Sequence, residues 1–95
     1  MTKAELVSKI AKTTRVDESV VLPIVESFMK TVKGSLAKDE NIYLRGFGNF
    51  LVKHRAEKPA RDIKQNKSIL VPAHNVPVFK PAKKFEDKIK SSIGS

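Results

Sequence analysis

Six basic side chains, Lys53, Arg55, Lys58, Arg61, Lys64 and Lys67, fall within fifteen residues. Steps of two and three along an extended chain place a positive charge about every 7–10 Å. Such a row suits a polyanion with regularly spaced charges, and Lys and Arg both neutralise phosphates. The bland alternative is a solvated basic face. Lys80, Lys83 and Lys84 near the end of the same stretch weigh against it.

Other chemistry finds little footing. His54 and His74 are the only histidines, and the chain has no cysteine. Neither histidine has a paired carboxylate close in sequence, so no metal site and no acid–base pair is expected. Both read as solvent-exposed or phosphate-facing side chains. Gly46 and Gly48 resemble part of a dinucleotide fingerprint. No helix opens after them and no third glycine follows at the required spacing, so no phosphate-cradling loop and no cofactor is expected. The sequence offers no catalytic constellation.

Ile63 is a bulky apolar residue in the middle of this polar run. An apolar wedge flanked by cations suits partial insertion between base steps from the minor groove. The alternative is packing across the ribbon on Ile69 or Leu70. Phe47, Phe50, Phe79 and Phe85 lie beside other apolar residues and read as core, not as base-stacking platforms.

The charge is unevenly spread. The net is +9, yet residues 1–40 carry seven basic and six acidic side chains, whereas residues 53–80 carry seven basic and two acidic. The second part of the chain is the one built to meet a polyanion. No run approaches the roughly 18 apolar residues of a membrane span. Met1 to Glu5 lead into a helical pattern with no apolar signal region. A cytoplasmic protein is expected, with no membrane partner.

The elements that must position these residues follow from periodicity. Thr2 and Glu5 fit a capping box, and Leu6, Val7, Ile10 and Ala11 make a helical stripe that ends at Thr13 to Arg15. Asp17 is a good N-cap for a second helix, with Val21, Val25, Phe28, Met29, Val32 and Leu36 at steps of three and four. Pro23 should kink this helix without ending it. Lys38 to Asn41 form the turn out. From Asn41 the period becomes two. Gly46 and Gly48 suit a tight hairpin, with Phe50 and Val52 starting the return strand. Residues 53–62 lack large apolar side chains and extend as a ribbon, which reverses near Asn66. Ile69 to Val71 resume the strand, and Val76, Val78 and Phe79 bring it back. Pro59, Pro72 and Pro77 suit edge positions. Pro81 can open a last short helix carrying Phe85 and Ile89, and Ser91 to Ser95 are expected to fray.

These residues resemble the HU and integration host factor family of bacterial histone-like proteins. The resemblance covers roughly residues 1–90. It is carried by Arg45-Gly46-Phe47-Gly48-Asn49-Phe50, then His54-Arg55-Ala56-Glu57, Arg61, Asn75-Val76-Pro77-Val78-Phe79 and Lys80-Pro81-Ala82-Lys83. It implies an α+β fold forming an intertwined dimer. A helical hairpin base would carry a three-stranded antiparallel sheet with a long β-ribbon arm, and a short C-terminal helix. One domain over residues 1–95 would comprise a dimerisation base at 1–40, the sheet and arm at 41–81 with its tip near 61–68, and the helix at 82–91. Arg55, Lys58, Arg61, Lys64 and Lys67 would line the arm. Lys80, Lys83 and Lys84 would touch phosphates on the flank, with Lys3 a further candidate. Where the family carries Arg-Asn-Pro at the tip, this chain has Arg61-Asp62-Ile63, and Asn66 replaces the usual turn glycine. These departures bear on bending and tip affinity, not on the fold.

The function expected is architectural: a homodimer that binds double-stranded DNA through the minor groove with little sequence preference, bends it and compacts the nucleoid. The rivals are a site-specific DNA-bending protein of the integration-host-factor type and a basic RNA-binding module.

Overall fold

The computed structural model describes residues 1–62 and 67–93. They form two compact units, Met1–Ser35 and Leu36–Ser95.

The first unit is a helical hairpin. Helix α1, Lys3–Thr14, starts where the Thr2 hydroxyl accepts a hydrogen bond from the Glu5 N–H at 3.2 Å. It ends on Arg15, whose left-handed backbone (φ 58°) lets its N–H return to the Ala11 carbonyl. Helix α2, Glu18–Ala37, begins on Asp17 and runs through Pro23. Val7 and Ala11 of α1 and Val21 of α2 are buried, with Ile10 and Val25 packed against them. Much of α2 is apolar yet uncovered: Ile24 is 62% exposed and Phe28 48%. An open apolar groove of about 450 Å³ runs between residues such as Leu6, Ile10, Val21 and Phe28. A helix apolar on most sides belongs inside a larger core than one hairpin supplies.

Asp17 is the expected cap. Its Oδ1 accepts from the Ser19 N–H at 2.8 Å and from the Ser19 hydroxyl at 2.7 Å. These bonds, the hydroxyl's first, hold the carboxyl below the ordinary carboxylate range. The stability this gives is present above that range and is lost as pH falls through the lowered value. Asp17→Ala should therefore lower the urea midpoint at neutral pH. The gap from wild type should narrow as the solution is acidified. A gap that stays constant to about pH 2 would show that the carboxylate charge plays no part.

In the second unit, strands β1 (Ile42–Leu44), β2 (Gly48–Arg55) and β5 (His74–Pro81) form an antiparallel sheet in the order β1-β2-β5. Gly46, with φ 82°, turns β1 into β2, and the Phe47 N–H donates to the Leu44 carbonyl at 3.0 Å. The short β1 edge is extended by the Asn41 side-chain oxygen, which accepts from the Val52 N–H at 3.0 Å. The return strand starts at Gly48, two residues before Phe50, because Gly48 already pairs with Leu44 and Pro81.

The ribbon is not continuous. Strands β3 (Lys58–Asp62) and β4 (Lys67–Val71) form a separate two-stranded sheet. Both sides of the ladder break at one level, at Ala56-Glu57 and at Pro72-Ala73. Proline has no N–H to give, so Pro72 cannot maintain the ladder there. Pro81 does not open the last helix. It closes β5 opposite Gly48, at an edge where proline is tolerated. Helix α3, Lys83–Ile93, begins after Ala82, whose carbonyl accepts from the Glu86 N–H and whose own N–H donates to the Phe47 carbonyl. The helix also persists past Ser91, where fraying was expected.

Four phenylalanines pack together as expected for a core. Phe47 lies 5.2 Å from Phe79 and 5.4 Å from Phe85, and Phe50 lies 5.0 Å from Phe79, between ring centroids. The cluster keeps one open side, where Phe47 is 44% exposed.

Candidate nucleic-acid interface

The register of the sheet sorts its side chains onto two faces, because directly opposed residues share a face and successive residues alternate. One face carries Phe50, Val52 and His54 of β2 with Phe79, Pro77 and Asn75 of β5. The other carries Asn49, Leu51, Lys53 and Arg55 with Lys80, Val78, Val76 and His74. The first face is mostly apolar. The second has an apolar middle and cations at both ends, and Lys53, Arg55 and Lys80 are all exposed. The sheet thus brings together three of the basic residues singled out from sequence.

Lys83 and Lys84 open α3 and are exposed. Two cations at the positive end of a helix dipole carry a local penalty of about 0.3–1 kcal/mol each, which a bound anion would relieve. In the arm, Lys58 and Lys67 share one face with Ala60, Ile69 and Val71, while Arg61 lies on the other with Pro59, Ser68 and Leu70. The arm cations are therefore divided between two surfaces, not aligned on one. Lys64 and the wedge candidate Ile63 lie outside the described residues, as does Asn66. Lys3 belongs to the other unit and its ammonium sits 3.4 Å from a Glu26 carboxylate oxygen, so its charge is partly offset. Both partners are about half exposed, so the pair is weakly held.

Among the described residues no group of three His, Cys, Asp or Glu side chains could hold a metal ion. His54 uses the face away from Lys53 and Arg55. Its Nδ1 meets the Asn75 side-chain oxygen and its Nε2 lies 3.7 Å from an Asp39 carboxylate oxygen. This ties the root of the arm to the turn after α2. Tyr43 is a residue that sequence reasoning passed over. It is 67% exposed and stands in one cross-strand row with Asn49 and Lys80. Its parity, opposite to that of Ile42 and Leu44, was the available signal.

A surface of this kind can hold phosphates by charge. Comparison with known proteins agrees with that geometry. A family model described as "Bacterial DNA-binding protein" matches residues 1–90. The chain is 33% identical over 91 residues to integration host factor subunit alpha of Actinobacillus pleuropneumoniae, covering 96% of this chain and 93% of that one. It is 35% identical over 91 residues to the SPbeta prophage-derived DNA-binding protein HU 2 of Bacillus subtilis, covering 96% and 99%. Among solved structures, an Anabaena HU–DNA cocrystal structure superposes with a TM-score of 0.89 at 28% identity, covering 94% of this chain and 97% of that one. The chain belongs to the HU and integration host factor family of bacterial DNA-binding proteins, a family of binding proteins and not of enzymes.

Proposed function

We propose that the protein is a homodimer that clasps duplex DNA, bends it through the minor groove and compacts the bacterial nucleoid with little sequence preference. The observation that carries this reading is the segregation of charge. Exposed cations occupy one face of the body sheet and the ribbon beyond it, while the opposite sheet face is mostly apolar. The uncovered apolar surface of α2 supports the dimer, since a second copy would cover it. Lys3, Lys53, Arg55, Lys58, Arg61, Lys64, Lys67, Lys80, Lys83 and Lys84 are the proposed phosphate contacts, and Ile63 the wedge. The non-specific reading is preferred over a site-specific one because the minor groove presents a degenerate pattern that separates little beyond A·T from G·C pairs.

Titration of a short random duplex at several salt concentrations tests this. With on the order of six to nine phosphate contacts, log affinity should fall against log salt with a slope of roughly −5 to −8. A flat dependence would refute the electrostatic clasp. Tight binding to one sequence alone would favour the integration-host-factor type, and preference for duplex RNA the RNA-binding module. Ile63→Ala should reduce bending, read by energy transfer between duplex ends, while leaving the salt slope unchanged.

A further inference from the structure

A notch of about 430 Å³ opens where the body sheet gives way to the arm, lined by Arg55, Ala56, Lys58, His74 and Val76. Three of these residues are basic side chains contributed by three strands, β2, β3 and β5. Arg55 and His74 are direct register partners and so leave the sheet on the same face. Lys58 begins β3 across the gap in the ladder. Among the described residues no carboxylate lines the notch.

The His74 ring is held in a definite orientation. Its Nδ1 lies 2.9 Å from the Pro72 carbonyl oxygen. A carbonyl only accepts, so Nδ1 carries hydrogen and donates. Nε2 is then a lone-pair acceptor in the neutral ring and a second donor in the imidazolium. A phosphodiester oxygen also only accepts. The neutral ring would therefore present a lone pair to the phosphate, and the imidazolium an N–H.

We propose that this notch is a DNA backbone-phosphate site in which His74 joins Arg55 and Lys58 as a cation that gains its proton when the phosphate arrives. The proposal rests on the duplex-DNA reading above and adds to it a residue and a pH dependence. The charged side chains that line the notch with the ring are Arg55 on β2 and Lys58 on β3, with Lys53 on the same sheet face two residues before Arg55 and Glu57 next to Lys58 in sequence. An incoming phosphate adds a negative charge beside the imidazole and draws a proton onto it. Binding should then take up protons, and affinity should rise as pH falls through the range in which imidazole titrates.

The test is an anisotropy titration of a short random duplex at fixed salt, at about pH 8 and about pH 6, with the full chain and its His74→Gln, His74→Lys and His54→Gln variants. Wild type should bind roughly five- to tenfold tighter at the lower pH. His74→Gln should lose most of that gain. His74→Lys, with a permanent charge, should bind tightly at both values. His54→Gln should keep the gain, because its ring serves Asp39 and Asn75 on the opposite face. A gain that persists in His74→Gln, or that disappears only in His54→Gln, overturns the site while leaving the DNA reading intact. Failure of all four proteins to bind at either pH overturns both.

Discussion

Replacing Lys53, Arg55 and Lys80 together by glutamine is expected to weaken binding to a short duplex by roughly 10³–10⁵-fold at about 0.1 M salt. The argument is one of counterions. Each phosphate neutralised by a side chain releases close to one condensed cation, and the proposed homodimer carries every substitution twice, so up to six lost contacts should make the log–log salt slope shallower by up to about 5.4. The three residues share one sheet face, and all are exposed. Their removal should leave the fold intact, since none contributes to the phenylalanine cluster. The control is a triple substitution of Lys12, Lys30 and Lys33 in the helical unit, which removes the same formal charge. If affinity depends only on net charge, the two triples will weaken binding equally and the sheet face loses its special status. If the face is the interface, the control should change the slope by well under one unit.

The second large effect concerns stability. Gly48→Ala is expected to destabilise the protein by roughly 2–4 kcal/mol, from overpacking and backbone strain combined. A β-carbon at Gly48 would stand 2.7 Å from the Lys80 carbonyl oxygen and 2.7 Å from the Phe79 ring. The ring is wedged among three other phenylalanines and the carbonyl is part of the β2–β5 ladder, so neither yields cheaply. Gly46 provides the comparison. Its φ of 82° disfavours a side chain, but nothing lies within 4 Å of its missing β-carbon. Gly46→Ala should cost only about 1–2 kcal/mol. Denaturant unfolding of both variants separates the effects: equal losses would mean that conformational strain, not contact, governs the hairpin. For a domain with a net stability of about 5–15 kcal/mol, the Gly48 substitution should also reduce the folded fraction available to bind DNA at physiological temperature.

The helical hairpin was legible because its signals are local. Thr2, Asp17 and the three-and-four spacing of Val21 and Val25 each act within a turn or two. The strand pairing followed from the change to period two at Asn41 and from the two glycines. What escaped was set by partners distant in sequence. The ladder break at Pro72 is evident from its missing N–H only once Pro72 is known to face Ala56-Glu57. The division of Lys58 and Arg61 between opposite arm faces depends on register, which charge counting ignores. Pro81 read as a helix start, and the pairing of Gly48 with Pro81 overrode that local preference. His74 carried no pattern of its own, and its position beside Arg55 comes entirely from the β2–β5 register.

The interrupted ladder also bears on how this protein can change over generations. Because the β3–β4 pairing shares no rungs with the body sheet, a substitution that loosens the arm does not propagate strand by strand into the β2–β5 pairing. The body can keep its phenylalanine cluster under strict selection while the ribbon samples new tips, charges and lengths at little risk to folding. A chain with Asp62-Ile63 following Arg61 in its sequence, and with Gly46, Gly48 and their phenylalanines in the body, is one outcome that such freedom allows.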